Sequence, residues 1–154
     1  ISGRTPYREL GNPESLLLGS QYFALGIKKD LISNNVWPFS TLVKDAVIKN
    51  LYGYEADTAM GNPGPGVQVL ARAAISPTEK GFVAMSTYYT AHSGAAVLNM
   101  GTNAWVCAMA NRCPWGHTFD SQAQNQIQKV TSAVLKAAKD SKWPVAQIEI
   151  PSRP

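Results

Sequence analysis

The segment between residues 95 and 110 limits the possible fold more than any other part of the chain. Residues 95–99 are mostly apolar, Gly101 interrupts them, and Thr102 can cap a helix over residues 104–110. A short strand that is apolar on both faces is typical of a central strand in a covered sheet. The segment therefore predicts a central strand, a tight turn and a helix that packs on the sheet.

The flanking segments predict further strands and another helix. Residues 67–75 and 82–87 have the composition of short strands, and a polar linker joins them. Ser40 can cap a helix that runs through Leu51, because apolar residues recur there at three- and four-residue steps. Helices that precede and follow a run of strands favour an α/β fold, with a mixed sheet covered by helices.

The C-terminal part carries the clearest helix signal. Asp120 or Ser121 can serve as the N-cap, and the pair at 143–144, Trp-Pro, ends the helix. Its apolar residues form one stripe, which faces the core: Ile127, Val130, Val134, Ala137 and Ala138.

Length and composition predict a single domain over residues 1–154, with an extended N-terminal arm at 1–15 and an extended tail at 144–154. Hydrophobic residues make up 45% of the chain and charged residues 16%, which suits a well-filled core. No run approaches the roughly 18 apolar residues of a membrane span. The lysines and arginines are scattered and are not interleaved with aromatic residues, so we expect neither a membrane nor a nucleic-acid partner.

Three residues are weak candidates for catalysis. Glu55 and Asp57 lie on one face of an extended segment, where paired carboxylates can share a proton or bind a cation. Alternatively, one caps the following loop while the other faces water or pairs with Arg72. His92 is the third candidate, but its neighbour Ser93 points to the opposite face of a strand, so the two form no ready-made dyad.

The turn at Gly101 also offers candidate binding residues. Ligands of open α/β sheets bind where strands end and helices begin, so Thr102, Asn103 and Trp105 are candidates to line a site. Tyr88 and Tyr89 end the preceding strand and are expected at the same rim. The alternative is a capped helix with Trp105 in the core.

Cys107 and Cys113 are the two cysteines of the chain, with five residues between them. They can close a small disulfide loop, which would place the protein in an oxidising compartment. Two buried thiols are the alternative. A metal site would need more Cys or His at suitable spacing, so we assign no metal ligand and no cofactor to this chain.

Five segments, in order, carry a resemblance to a known family. They are residues 13–22, 53–57 (GYEAD), 67–73, 93–105 (ending MGTNAW) and the helix from Asp120. Over residues 12–138 the chain resembles the C-terminal region of the large subunit of N,N-dimethylformamidase and its uncharacterised relatives. The resemblance implies a Rossmann-like, amidotransferase-like fold and hydrolysis of an amide C–N bond.

The resemblance also implies that the catalytic centre lies outside this chain. The enzyme holds one iron by tyrosines and a glutamate, near a His-Asp-Glu-Tyr-type stretch that the sequence lacks. The first residue is Ile1 and not Met. We therefore expect the C-terminal part of a longer, secreted, amidohydrolase-like precursor. Its metal ligands would come from another polypeptide chain or from the missing N-terminal part, and the cysteine loop favours a secreted, extracellular branch.

A second hypothesis belongs to another class of protein. The chain would be a secreted, non-catalytic binding or structural module with a glycan or peptide surface. That surface would use Trp37, Trp105, Trp115 and the pair Tyr88–Tyr89.

Overall fold

The computed structural model describes residues 18–58, 66–74, 83–114, 116 and 118–146, which form a curled antiparallel sheet followed by two helices. The strands are β1 (Gln21–Ser33), β2 (Val47–Thr58), β3 (Gln68–Ala74), β4 (Val83–Thr90) and β5 (Ala96–Asn99). A single 3-10 turn, Phe39–Thr41, interrupts the β1–β2 connection, and the helices are α1 (Ala104–Met109) and α2 (Ser121–Asp140). The sheet order is β2-β1-β3-β4-β5, and each neighbouring pair is antiparallel.

The predicted α/β fold, with a mixed sheet and Rossmann-like layering, is wrong. Parallel strands need long crossover connections, usually helical. Between the strands, the structure describes one helical element, the 3-10 turn, in place of crossover helices. The described helices α1 and α2 both follow β5. The strands predicted at 67–75 and 82–87 are confirmed as β3 and β4, so the error lies in how the strands pair.

The helix predicted from Ser40 through Leu51 is also wrong, because β2 begins at Val47. Asp45 and Asn50 both adopt positive φ, at 56° and 57°, which a right-handed helix does not tolerate. The β-branched pair Val47 and Ile48 favours a strand. The apolar spacing that suggested a helix therefore spans a loop and the first part of β2, where Leu51 is buried and Val47 is exposed.

The strand at the Gly101 turn, β5, lies at one edge of the sheet and not at its centre. Its residues are half-buried, and Ala96 and Leu98 pack against the main core. A curled sheet lets an edge strand contact the core, which explains an apolar strand without a central position.

The sheet curls into a half-barrel because hydrogen bonds join its two edges. The Asp57 N–H in β2 donates to the carbonyl of Gly101, just after β5, at 2.8 Å. Deeper in the core, the hydroxyls of Tyr52 and Ser86 lie 2.8 Å apart, and Ser86 donates to the Met100 carbonyl at 2.7 Å. Gly101 has φ +72°, and a Cβ there would collide with the carbonyl of Met85. Only glycine fits this closing turn.

The C-terminal helix forms as the sequence predicts. The Asp120 carboxylate caps α2 by accepting from the Ala123 N–H at 2.7 Å, and the helix ends at Ser141, which has φ 51°. Of the predicted stripe, Ile127, Val130 and Ala137 are buried, Val134 is half-buried and Ala138 is exposed.

Within the described ranges, no helix is both long enough and apolar enough to cross a bilayer. The predicted arm at 1–15 and the tail beyond residue 146 lie outside those ranges.

Candidate functional site

A polar seam runs along the line where the end of β2 meets the turn after β5. Its centre is Asn99, whose Nδ2 donates to the Ser20 hydroxyl at 2.8 Å and to Asp57 Oδ2 at 2.9 Å. The Oδ1 atom of Asn99 accepts from the Gly101 N–H at 2.8 Å. One amide side chain thus holds three segments of the chain together. We call Ser20, Asp57, Asn99, Gly101 and Thr102 the seam.

Thr102 links the seam to α1. Its hydroxyl donates to the carbonyl of Gly53 in β2 at 3.2 Å and accepts from the Ala104 N–H at 3.2 Å. This hydroxyl therefore ties the helix start to the sheet edge. Asn103 is the N-cap, and its Oδ1 is buried without a hydrogen-bond partner in the described part of the chain.

The two carboxylates of β2 have different surroundings. Asp57 bonds Asn99 and belongs to the seam. Glu55 is half-buried, and burial first, then the nearby Asp57 charge, raises its pKa above the usual carboxyl value. Arg72 is exposed and stands in register with Ile32 and Met85. A half-buried carboxyl with a raised pKa is a candidate for proton transfer.

Buried polar partners that the sequence reasoning missed lie beneath the seam. Tyr52 is fully buried against Ser86, and desolvation raises the pKa of its phenol so far that it stays protonated. Asn99 lies within the segment 93–105 that carries the family resemblance, and no role was predicted for it. Its position two residues before Gly101 was the signal, because an Asn side chain there can bond the N–H of the turn.

The predicted binding aromatics fill the core. Trp105 is 6% exposed, packs edge-on against Phe39 with ring centroids 5.9 Å apart, and donates from Nε1 to the Thr131 hydroxyl at 3.1 Å. Tyr88 is buried and donates to the Pro144 carbonyl at 2.6 Å; burial raises its pKa. Tyr89 is half-buried. Trp105 thus takes the core position that was the alternative to a binding role.

His92 lies seven residues before Asn99, on the exposed turn that joins β4 to β5. The Ala91 N–H closes this turn on the Ala95 carbonyl at 2.7 Å. Because β5 separates the turn from Asn99, the fold brings His92 to the opposite end of that strand from the seam.

The remaining aromatic candidates differ in placement. Trp37 is half-buried, and its ring centroid lies 5.1 Å from that of Tyr88 and 6.1 Å from that of Trp143, both edge-on. Trp115 falls outside the described residues. The described rings are engaged with one another and do not form a flat exposed row.

The predicted disulfide is confirmed. Cys107 in α1 bonds Cys113, with Cα atoms 4.8 Å apart. Asn111 has φ 51° and so turns the chain back after α1, as a left-handed terminator does. The Arg112 N–H then donates to the Cys107 carbonyl at 2.9 Å, which closes the loop.

The described residues were expected to carry no metal ligand, and two of their polar side chains are engaged in hydrogen bonds within the fold. Among the described residues, no three side chains of His, Cys, Asp or Glu lie close enough together to hold a metal ion. The buried Tyr52 hydroxyl is engaged with Ser86, and Asp57 is engaged with Asn99.

The chain matches a known protein family. A family model described as N,N-dimethylformamidase beta subunit-like, C-terminal, matches residues 1–151. No curated protein matches the chain. The match spans nearly all of the sequence, and it confirms the resemblance drawn from the five segments.

Proposed function

The chain belongs to the N,N-dimethylformamidase beta subunit-like C-terminal family, and from this premise we propose that it is the C-terminal domain of an amide C–N hydrolase. The family match over residues 1–151 carries the proposal. The catalytic metal ligands would come from another polypeptide or from another segment of the same protein.

Within such an enzyme, this domain would form one wall of the site. The seam side chains are committed to internal hydrogen bonds, so they position the strand and do not react. Glu55 lies two residues before Asp57 on that strand, with a raised pKa. We assign it the exchange of a proton with the amide nitrogen or with the attacking water, once the other wall is in place.

We also propose that the protein is secreted. The Cys107–Cys113 bridge supports this, because disulfides persist in oxidising compartments. Fractionation of the source cells, with thiols blocked during lysis, tests it. Oxidised chain in the medium is the expected result, whereas reduced chain in the cytosol would contradict it.

The alternative function, a glycan- or peptide-binding module, has less support. Trp105 and Tyr88 are buried, and Trp37 packs between Tyr88 and Trp143. Stacking on a sugar or a peptide needs exposed ring faces, and these rings are used for packing.

The proposed function is tested by hydrolysis of N,N-dimethylformamide. The chain alone should release no dimethylamine, and the protein assembled with its remaining segment or subunit should release it with turnover. In the assembled protein, Glu55→Gln should lower kcat by about 100-fold or more, as for loss of a general acid or base. The matched control is Asp140→Asn, an exposed carboxylate at the end of α2, which should leave kcat unchanged.

Each arm can overturn a different part of the proposal. Turnover by the isolated chain would refute the assignment of the metal ligands elsewhere. Failure of the assembled protein to hydrolyse any simple amide would refute the hydrolase assignment. A Glu55→Gln variant with full kcat would remove Glu55 from the proton transfer and leave the rest standing.

A further inference from the structure

Four side chains form a row across the outer face of the sheet. The strand register pairs Val47 with Ile32, Ile32 with Arg72, and Arg72 with Met85. Directly paired residues of an antiparallel sheet project from the same face. We call Val47, Ile32, Arg72 and Met85 the outer row.

The outer row lies on the face opposite the core. The neighbouring residues Leu31 and Ile48 are fully buried, and successive strand residues alternate between faces. In contrast, Ile32 is 50% exposed and Val47 is 39% exposed, and Met85 is half-buried. Apolar side chains that meet at mid-sheet in solvent are typical of an interaction surface.

Positive charge surrounds the outer row. Arg72 lies within it, Lys49 is two residues from Val47, and Lys28 is four residues from Ile32, and all three are exposed. A shallow pocket of about 310 Å³ lies beside Ile32 and is lined by Lys28, Lys29 and Asp30. Asp30 accepts a hydrogen bond from the Asn50 N–H at 2.8 Å, and its single negative charge leaves the charge around the outer row positive in sum.

We propose that the outer row is the surface on which this domain docks the other polypeptide segment of the enzyme, through a patch that joins apolar side chains to Asp or Glu. The proposal rests on the proposed function, which requires such a segment. Charge complementarity selects the occupant. Arg72, Lys28 and Lys49 would repel the same face of a second copy, and the exposed apolar centre at Ile32 and Val47 fits an apolar protein patch better than a phosphate backbone.

Zero-length carbodiimide cross-linking of the assembled enzyme tests the contact directly. The reagent joins a lysine amine to a carboxylate only where the two touch. Lys28 and Lys49 should link to Asp or Glu of the other segment at least tenfold more often than Lys139 and Lys142 do. The latter two are exposed lysines near the end of α2 and serve as matched controls. Equal yields at all four lysines, or no links at the first two, would overturn the proposal.

Substitutions test the energetic role of the row. Ile32→Glu and Arg72→Glu place negative charge against an acidic partner and should each reduce retention of the other segment at least tenfold in size-exclusion chromatography. The control is Val43→Glu, because Val43 is 75% exposed and lies outside the sheet. All three positions are exposed, so circular dichroism should show wild-type folding. Wild-type retention by both row variants would overturn the proposal.

The outcomes separate this inference from the function on which it rests. If the wild-type enzyme retains its other segment and both row variants do too, the docking surface is elsewhere and the proposed function stands. If the wild-type chain elutes alone, both fail. Binding of the chain to phosphatidylserine vesicles that is lost in Ile32→Glu, without cross-links to protein, would reassign the face to a membrane and overturn the proposal.

Discussion

Replacement of Gly101 by alanine should destabilise the fold more than the same replacement at Gly66, Gly94 or Gly116, where an added Cβ would meet nothing within 4 Å. Gly101 closes the half-barrel, with φ +72°. An added Cβ would collide with the carbonyl oxygen of Met85 and lie 3.2 Å from the Tyr52 ring. The obstacle is backbone, so no rotamer change can relieve it.

The magnitude follows from two separate costs. A left-handed conformation costs an L residue about 1–2 kcal/mol. Forcing a methyl group into a filled space costs a further 1–3 kcal/mol or so. We therefore expect Gly101→Ala to lower the free energy of unfolding by about 2–5 kcal/mol. That is a large share of the roughly 5–15 kcal/mol by which a domain is stable.

Gly94→Ala is the matched control. Gly94 also has positive φ, +84°, but a Cβ there meets nothing within 4 Å, so only the conformational cost of about 1–2 kcal/mol applies. Equilibrium urea unfolding, followed by tryptophan fluorescence, measures both variants. Faster amide exchange at Asp57, whose N–H bonds the Gly101 carbonyl, should accompany Gly101→Ala. An equal loss of unfolding free energy in the two variants would refute the reasoning, because the collision of the added Cβ with the Met85 carbonyl would then have no measurable cost.

Three further predictions concern α2, the disulfide and the β2 carboxylates. Asp120→Ala should cost about 1 kcal/mol in urea unfolding through loss of the N-cap, and Asp120→Asn should retain most of it. Unreduced, denatured chain should show no reactive thiol at Cys107 or Cys113, and reduction should lower stability by about 2 kcal/mol, as for a short loop. Because the raised pKa of Glu55 means that the folded state holds its proton more tightly, its contribution to stability should fall as the pH rises from the ordinary carboxyl pKa to the raised one. Asp57→Asn should lower the raised pKa of Glu55 only part of the way to its ordinary value, because burial is the larger cause of the shift. A carbon-13 NMR titration of the Glu55 carboxyl measures this change.

Local signals predicted the elements that depend on neighbours in the sequence. The Asp120 cap and the stripe through Ile127 and Val130 lie within a few turns of one another, so the sequence pattern alone specified α2. The same holds for the disulfide, whose ring is short enough to form within one helix end and one turn. The strands β3 and β4 were predicted for the same reason.

The fold class was missed because strand pairing depends on contacts between distant residues. Over residues 40–51 the apolar spacing favours a helix while the β-branched pair Val47 and Ile48 favours a strand; the positive φ values of Asp45 and Asn50 exclude the helix. The seam could not be predicted from the sequence for the same reason. Asn99 bonds Asp57 and Ser20 across 42 and 79 residues of sequence, and only the curled sheet brings those segments together.

The central claim is that the catalytic metal ligands lie outside this chain, and iron stoichiometry tests it most directly. The chain is expressed alone, loaded anaerobically with Fe(II), desalted and measured by inductively coupled plasma mass spectrometry, beside a Glu55→Gln variant and the assembled enzyme. The account predicts stoichiometric iron in the assembled enzyme and only background iron in the isolated chain and its variant. One iron per isolated chain, lost in Glu55→Gln, would contradict it, because a ligand set would then exist within these 154 residues.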